Sequence, residues 1–314
     1  MITTENLGKS FPLGGWFRRR HLHAVRDVSI TVGRGETLGL VGDSGSGKST
    51  VGRLMLGLMP ATTGRVLFEG QDLATTGAAD LRTLRRRLQL VFQDPYASLD
   101  PRRTIGAQIA DALVIHKLMG KSGRAERVAD LLVQVGLAPE HAARYPHQFS
   151  GGQRQRIGIA RALASGPEFL VADEPVSALD VSVQAQVLAL LANLRAQLGL
   201  AMLFISHDLP VVRHLCDRVA VMYLGRIMEE GPVREVFANP IHPYTQALLS
   251  AAPSLHPERR RTRLLLQGDP PSPANPPSGC VFRTRCPIAG PECATSIPPL
   301  TGTTHRVACL KANG

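Results

Sequence analysis

The sequence contains no run of about 18 apolar residues, which is the length that a membrane-spanning helix needs. Its first residues also lack a basic segment followed by an apolar stretch, so we expect neither a spanning segment nor a secretory signal. A collagen-like repeat is absent as well. The 314 residues are 44% hydrophobic and 19% charged, a composition that predicts a folded chain of about two domains rather than a disordered one.

Acidic residues are in deficit. Asp and Glu together number 25 against 36 Lys and Arg, which leaves a formal net charge of +11. This balance favours an anionic partner, which could be a nucleotide, a nucleic acid or an anionic membrane surface. Charge alone does not choose among the three.

Apolar patterning predicts a layered α/β core. Apolar and polar residues alternate at residues 28–32 and 66–68, which predicts strands. Four other short apolar runs do not alternate, which is typical of strands that are covered on both faces. Between them lie segments with apolar residues at helical spacing. The predicted strands lie at residues 28–32, 38–41, 66–68, 88–92, 169–172 and 202–205. One predicted helix begins at Thr50, and two others include residues 128–135 and 183–198.

The most specific motif is a glycine-rich loop between an apolar strand and a helix. It fits the pattern G-x-x-x-x-G-K-[ST], which surrounds the phosphates of a nucleotide with backbone N–H groups. Lys48 is expected to reach the β- and γ-phosphates, and the Ser49 hydroxyl is suited to ligate Mg²⁺. An ordinary glycine turn with a surface lysine is the alternative. The predicted nucleotide-binding residues are Gly42, Ser44, Gly45, Ser46, Gly47, Lys48, Ser49 and Thr50.

Two consecutive carboxylates, Asp173 and Glu174, follow the apolar run at residues 169–172. In a chain with a phosphate loop, this arrangement suits an aspartate that holds Mg²⁺ through water and a glutamate that polarises the attacking water. A solvated acidic strand end is the alternative. We therefore predict Asp173 as a residue of the Mg²⁺ site and Glu174 as the catalytic base.

A third motif, Phe-Ser-Gly-Gly-Gln-Arg-Gln at residues 149–155, precedes a predicted helix. With it, the chain resembles the ATP-binding cassette (ABC) ATPases over about residues 1–235. The resemblance implies a RecA-like core with an antiparallel β subdomain, and a helical subdomain at about 93–160. It also implies that two such domains pair head to tail, with each ATP between one phosphate loop and the opposing signature. The signature residues that would face the partner's ATP are Ser150, Gly151, Gly152 and Gln153.

Other residues match the family's motifs in chain order, and their roles are implied by the resemblance. Gln93 corresponds to the glutamine that senses Mg²⁺ and the attacking water, and that touches the membrane partner. His207 corresponds to a histidine at the γ-phosphate, and Asp180 to the aspartate that contacts the opposing phosphate loop. Phe11 corresponds to the aromatic residue that stacks on adenine, with packing of Phe11 or stacking by Trp16 as alternatives. The catalytic set is then Lys48, Gln93, Glu174 and His207, and the Mg²⁺ set is Ser49, Gln93 and Asp173.

Three further segments make the chain similar to the ATPases of oligopeptide and dipeptide importers, over nearly its whole length. They lie at residues 145–148, 239–245 and 281–287. The resemblance implies an extension at 236–314, with a proline-rich loop, beyond the ATPase domain at 1–235. It also implies that ATP hydrolysis energises the uptake of di- or oligopeptides, or of a related solute such as nickel or glutathione.

Four of the five cysteines crowd the last 35 residues, at Cys280, Cys286, Cys293 and Cys309. Without an export signal, this clustering favours a metal site over disulfides. Four thiolates suit either tetrahedral Zn²⁺ or an iron–sulfur cluster. The resemblance favours a 4Fe-4S cluster, because similar importer ATPases carry one in this tail. Zn²⁺ and unliganded thiols are the alternatives.

The expected protein is a peripheral ATPase on the cytoplasmic face of the cell membrane. It would bind ATP and Mg²⁺, pair with a second ABC ATPase, and drive two permease subunits fed by an extracytoplasmic solute-binding protein. We expect the second ATPase to be a related, non-identical chain, with a copy of this chain as the alternative. A nucleic-acid-directed ABC ATPase is the rival, but no long heptad run of the kind that interrupts such proteins is present. We therefore expect no nucleic-acid partner. A second alternative is a regulatory module that binds ATP without hydrolysing it. The presence of Lys48, Glu174 and His207 disfavours this alternative.

Overall fold

The computed structural model of the chain describes residues 1–13, 20–251, 266 and 268–312. Within these residues the strands are β1 (Ile2–Leu13), β2 (Arg20–Val28), β3 (Thr31–Val32), β4 (Thr37–Val41), β5 (Thr63–Phe68), β6 (Gln71–Asp72), β7 (Leu88–Val91), β8 (Phe169–Asp173), β9 (Ala201–Ser206), β10 (Arg218–Tyr223), β11 (Arg226–Pro232) and β12 (Arg306–Val307).

The described residues also form ten α-helices. They are α1 (Lys48–Met55), α2 (Ala78–Arg87), α3 (Ile105–Ile115), α4 (Lys121–Gln134), α5 (Gly151–Leu163), α6 (Val181–Leu198), α7 (Leu209–Leu215), α8 (Val233–Ala238), α9 (Pro243–Ala251) and α10 (Glu292–Thr295). Short 3₁₀ helices cover Pro139–Ala143 and Pro146–Gln148. None of the helices in the described part of the chain is long and apolar enough to cross a bilayer.

The chain folds into two compact units, of which the first comprises Met1, residues 32–36 and residues 75–205. Here β7, β8 and β9 pair in parallel, and every residue of β8 and β9 is buried. Helices α3, α4 and α5 pack on one another within the predicted helical region. Thr104 and Ser150 begin α3 and α5, and each accepts a hydrogen bond from a first-turn backbone N–H, which satisfies a donor that the helix leaves open.

The second unit comprises residues 2–31, 37–74 and 206–314. One sheet is antiparallel, with the order β2-β1-β5-β6. In another set of strands, β4 pairs in parallel with β10. Strand β11 then pairs with β10, and β12 with β11, both antiparallel. Strand β4 is completely buried and leads directly into the glycine-rich loop. The C-terminal segment therefore adds its own strand, β12, to the strands beside the loop.

Two buried carboxylates hold this C-terminal strand in place. Glu230 on β11 is 1% exposed and pairs with Arg218 on β10 and Arg306 on β12. Glu229 is fully buried and accepts a hydrogen bond from His305 Nε2 at 2.6 Å. Because a buried charge is costly unless it is paired, these contacts are what permit two glutamates inside a sheet.

The predicted strands and helices are found close to their expected places. The pattern at residues 28–32 divides between the end of β2 and the two-residue β3, and the predicted helix at Thr50 begins two residues earlier, at Lys48. The backbone of Gly47 is left-handed, with φ of 105°, and this conformation sets the start of α1. Strands β10 and β11 were not predicted from the sequence.

Candidate nucleotide site

The phosphate loop (residues 42–49) is shaped by glycines with positive φ. Gly42 has φ of 149° and Gly47 has φ of 105°, conformations that side chains rarely adopt. A Cβ atom at Gly42 would lie 2.0 Å from the carbonyl oxygen of Met222, and one at Gly47 would lie 2.1 Å from that of Ala24. Neither position therefore accepts another residue without a shift of the backbone.

Lys48 directs its ammonium group into the loop. The residue is 5% exposed, and Nζ donates to the carbonyl oxygens of Gly42 at 2.7 Å and Asp43 at 2.9 Å. The loop thus combines a buried cation with backbone N–H groups at the start of α1, a donor set that suits the phosphates of a nucleotide. Ser49 follows within the first turn of α1 and is partly exposed, which fits the expected Mg²⁺ ligand.

The two adjacent carboxylates lie at the end of β8 in the first unit. Asp173 is the last residue of β8 and is 5% exposed. Glu174 leaves the strand with φ of 45°, and its N–H donates to the carbonyl oxygen of Ile205 at 3.0 Å. Gln93 Nε2 donates to Glu174 Oε2 at 3.1 Å. The fold therefore joins the predicted glutamine and the predicted base, 81 residues apart, by a direct hydrogen bond.

The signature residues form the start of α5. Ser150 and Gln153 make a reciprocal capping pair, in which Ser150 Oγ accepts from Gln153 N at 3.3 Å and Gln153 Oε1 accepts from Ser150 N at 3.0 Å. Ser150 is exposed. A Cβ atom at Gly152 would lie 2.3 Å from the Val183 side chain of α6, so the helices approach closely here. The result is an exposed helix N-terminus that carries a hydroxyl and can receive an anion.

The remaining predicted residues lie in three different parts of the chain. His207 is exposed between β9 and α7, and Asp180 is exposed at the start of α6. Phe11 lies on β1 opposite Leu22, and Lys9 Nζ lies 5.3 Å from the centre of its ring. The competing residue for adenine stacking, Trp16, lies outside the described residues.

Comparison with known proteins decides the family. The family model for the ABC transporter matches residues 25–177, and the model for the oligopeptide/dipeptide transporter C-terminal region matches residues 228–293. A putative peptide import ATP-binding protein of Brucella ovis is 56% identical over 315 residues, which cover 100% of this chain and 98% of that protein. This chain belongs to the ABC transporter ATP-binding family.

Two other relatives of this ABC protein support the same family membership. The oligopeptide transport ATP-binding protein AppF of Bacillus subtilis is 51% identical over 98% of this chain and 96% of its own length. OppF of Salmonella typhimurium, also named an oligopeptide transport ATP-binding protein, is 53% identical over 95% of this chain and 90% of its own. Membership of this family confirms the expected ATPase and implies ATP and Mg²⁺ as its nucleotide and metal ion.

Solved structures confirm the expected ABC fold. The dimeric ATP-binding cassette MJ0796 in a post-hydrolysis state, bound to ADP and inorganic phosphate, has a TM-score of 0.67 and 29% sequence identity. The match covers 74% of this chain and 99% of that one. The cassette CbiO1 of Clostridium perfringens has a TM-score of 0.66 and 28% identity, covering 76% of this chain and 90% of that one.

The predicted iron–sulfur cluster, and with it the zinc alternative, is wrong. No three or more His, Cys, Asp or Glu side chains are grouped to hold a metal ion anywhere in the described ranges. The four cysteines line a small pocket together with apolar groups from Phe282, Ile288 and Leu310. Burial raises the pKa of the Cys280 and Cys286 thiols above its usual value.

One contact of the phosphate loop was not predicted from the sequence. The Asp43 N–H donates to the hydroxyl oxygen of Tyr244 at 2.9 Å, across 201 residues. Tyr244 lies in residues 239–245, a segment whose pattern indicated the importer family but not this contact. Spacing along the chain contains no signal for it, because the two residues meet only when β4 and β11 join one sheet through β10.

Proposed function

We propose that this ABC protein hydrolyses ATP to energise the import of di- or oligopeptides through permease subunits in the cytoplasmic membrane. The observation that carries the proposal is sequence identity of 51–56%, over nearly the whole chain, to proteins named for peptide import or oligopeptide transport, together with the matched oligopeptide/dipeptide transporter C-terminal region. The loop around Lys48 and the linked pair of Gln93 and Glu174 supply the ATPase chemistry.

The phosphate loop binds the nucleotide in this proposal. When ATP binds, the Lys48 ammonium group donates to phosphate oxygens in place of the carbonyl oxygens of Gly42 and Asp43. The N-terminus of α1 adds partial positive charge. Ser49 and Asp173 would hold Mg²⁺, which would neutralise charge on the phosphates, and Gln93 would sense this ion. These residues bind and orient ATP without forming a covalent intermediate.

Glu174 is the base that accepts a proton from the attacking water. Gln93 donates to one of its carboxylate oxygens, which fixes the orientation of the carboxylate. His207 contacts the γ-phosphate, and Asp180 contacts the phosphate loop of the partner.

A second ABC ATPase completes each site. The exposed N-terminus of α5, with Ser150 and Gln153, is suited to form half of an anion site. In this proposal it contacts the ATP that the partner's phosphate loop binds. The related cassette MJ0796 is itself dimeric. The partner is a related chain rather than an identical one, and the assembly sits on two permeases that an extracytoplasmic solute-binding protein serves.

The import proposal is tested in membranes. The full chain, expressed with its neighbouring transporter subunits, is pulled from detergent-solubilised membranes, and the captured subunits are identified. The assembly is then placed in vesicles with labelled di- and oligopeptides and ATP. We expect co-purified permeases and ATP-dependent peptide uptake. Uptake of nickel or glutathione instead of peptides would contradict the cargo but not the ATPase.

Adenine stacking gives a prediction that is separable from phosphate binding. If Phe11 stacks on the base, Phe11→Ala should weaken ATP and GTP binding alike by ~1–3 kcal/mol, because every base has a π-face. Equilibrium binding of a fluorescent nucleotide to the purified chain measures this. Leu13→Ala, an apolar truncation on the same strand, is the control. Unchanged affinity in Phe11→Ala, with a loss in Trp16→Ala, would transfer the role to Trp16.

A further inference from the structure

Asp43, the second residue of the phosphate loop, is held by residues from the C-terminal region. Its carbonyl oxygen accepts from Lys48, and its N–H donates to Tyr244 Oη at 2.9 Å. Its carboxylate lies 3.8 Å from Nη1 of Arg285, which is 12% exposed. The backbone and the side chain of one loop residue thus each have a partner more than 200 residues away.

Burial and hydrogen bonds fix the position of Tyr244. It is fully buried at the start of α9, and its N–H donates to Nδ1 of His242 at 3.1 Å. Burial lowers the pKa of His242 to about 3, so the ring is neutral at physiological pH and Nδ1 can accept. The N–H of His242 donates to Glu229 on β11 at 3.0 Å. A chain of hydrogen bonds therefore connects strand β11 to the backbone of Tyr244.

Aromatic packing fixes the tail segment against the same side chain. The ring of Phe282 lies 5.4 Å from that of Tyr244, and edge-on to Tyr223 at 5.3 Å. Phe282 is fully buried, and Arg285 follows three residues later. The Arg285 guanidinium lies beside the Tyr223 hydroxyl and faces the negative charge of the Asp43 carboxylate.

We propose that Tyr244 and Arg285 are positioning residues of the phosphate loop, through which the C-terminal region sets the affinity for ATP. They hold the Asp43 peptide so that the neighbouring N–H groups and Lys48 point into the loop. Neither residue is proposed to touch the nucleotide. Loss of either contact lets the Asp43 peptide turn, so the donor set must be reordered when ATP binds.

The first test replaces the hydroxyl alone. Tyr244→Phe keeps the ring and its packing but removes the acceptor of the Asp43 N–H. We expect the Kd for ATP to rise about fivefold in the full chain, the effect of one lost hydrogen bond. In the assembled transporter, KM for ATP should rise while kcat stays near the wild-type value, because ground and transition states lose the same binding.

Thr245→Val is the matched control. Thr245 is the next residue of α9 and is also buried, but its hydroxyl has no hydrogen-bond partner among the described residues, so its Kd should equal that of the wild type. A wild-type Kd in Tyr244→Phe would overturn the proposal. A lower melting temperature of the nucleotide-free protein with unchanged ATP affinity would overturn it too, since Tyr244 would then only support the fold.

The second test is a double-mutant cycle that does not depend on Tyr244. Arg285→Met should raise the Kd for ATP about threefold, and Arg283→Met, a nearby arginine that bonds to Ser278, should not. In an Asp43→Asn background, Arg285→Met should have little further effect, because the carboxylate through which it acts is gone. Equal effects in both backgrounds would contradict action through Asp43. The inference rests on ATP binding, so failure of the wild type to bind ATP would contradict that function instead.

Discussion

Glu174→Gln should retain ATP binding and lose most turnover. The change removes the base but keeps the shape of the side chain, and general-base catalysis typically contributes about 10²–10⁴-fold. Lys48 and the loop amides still hold the nucleotide, so dimers with bound ATP should accumulate. Phosphate release is measured in the assembled transporter, with the partner's site inactivated so that only this chain's site reports.

Glu126→Gln is the matched control, because it makes the same change in charge at an exposed position on α4 of the same unit. Its turnover should match the wild type. Gln93→Ala should fall between the two, since it leaves the base in place but removes the donor that orients it. Near-normal turnover in Glu174→Gln would remove Glu174 from the role of base.

Lys48→Ala should instead weaken nucleotide binding itself. The substitution deletes a buried ammonium group that the loop directs toward the phosphates, and charge-assisted hydrogen bonds contribute about 1.5–3 kcal/mol. The Kd for ATP should therefore rise about 10- to 150-fold. Titration of the purified chain with a fluorescent ATP analogue measures the change.

Lys311→Ala removes the same charge from the same unit, where Lys311 pairs with Glu292 at the surface. ATP affinity should be unchanged in this control. If both lysine substitutions weakened binding equally, net charge rather than the loop would be responsible. If neither did, the phosphate loop would not be the binding site.

The nucleotide loop could be predicted from the sequence because it is local. Its functional groups lie within eight consecutive residues, and the glycines, the lysine and the following helix leave little choice of conformation. Buried strands such as β8 and β9 were also predictable, since unbroken apolar runs indicate burial on both faces. For these elements, neighbours in the sequence are neighbours in space.

Strand β11 shows why other elements could not be predicted. Its buried Glu229 and Glu230 interrupt the apolar pattern that marks a strand, and only their partners on β10, β12 and the tail make burial possible. The metal-site prediction from the cysteine spacing was wrong for a related reason. Four thiols near one another in the sequence indicated a metal site, but their grouping and burial depend on how the tail folds.

By itself the sequence determined the phosphate loop, the strand-end carboxylates, the signature motif and, through their order, the ABC family. The tertiary structure decided which distant residues meet. It joined Gln93 to Glu174 and brought Tyr244 and Arg285 to Asp43. The physical reason is that such contacts depend on strand order and on the pairing of buried polar groups, and neither leaves a periodic trace along the chain.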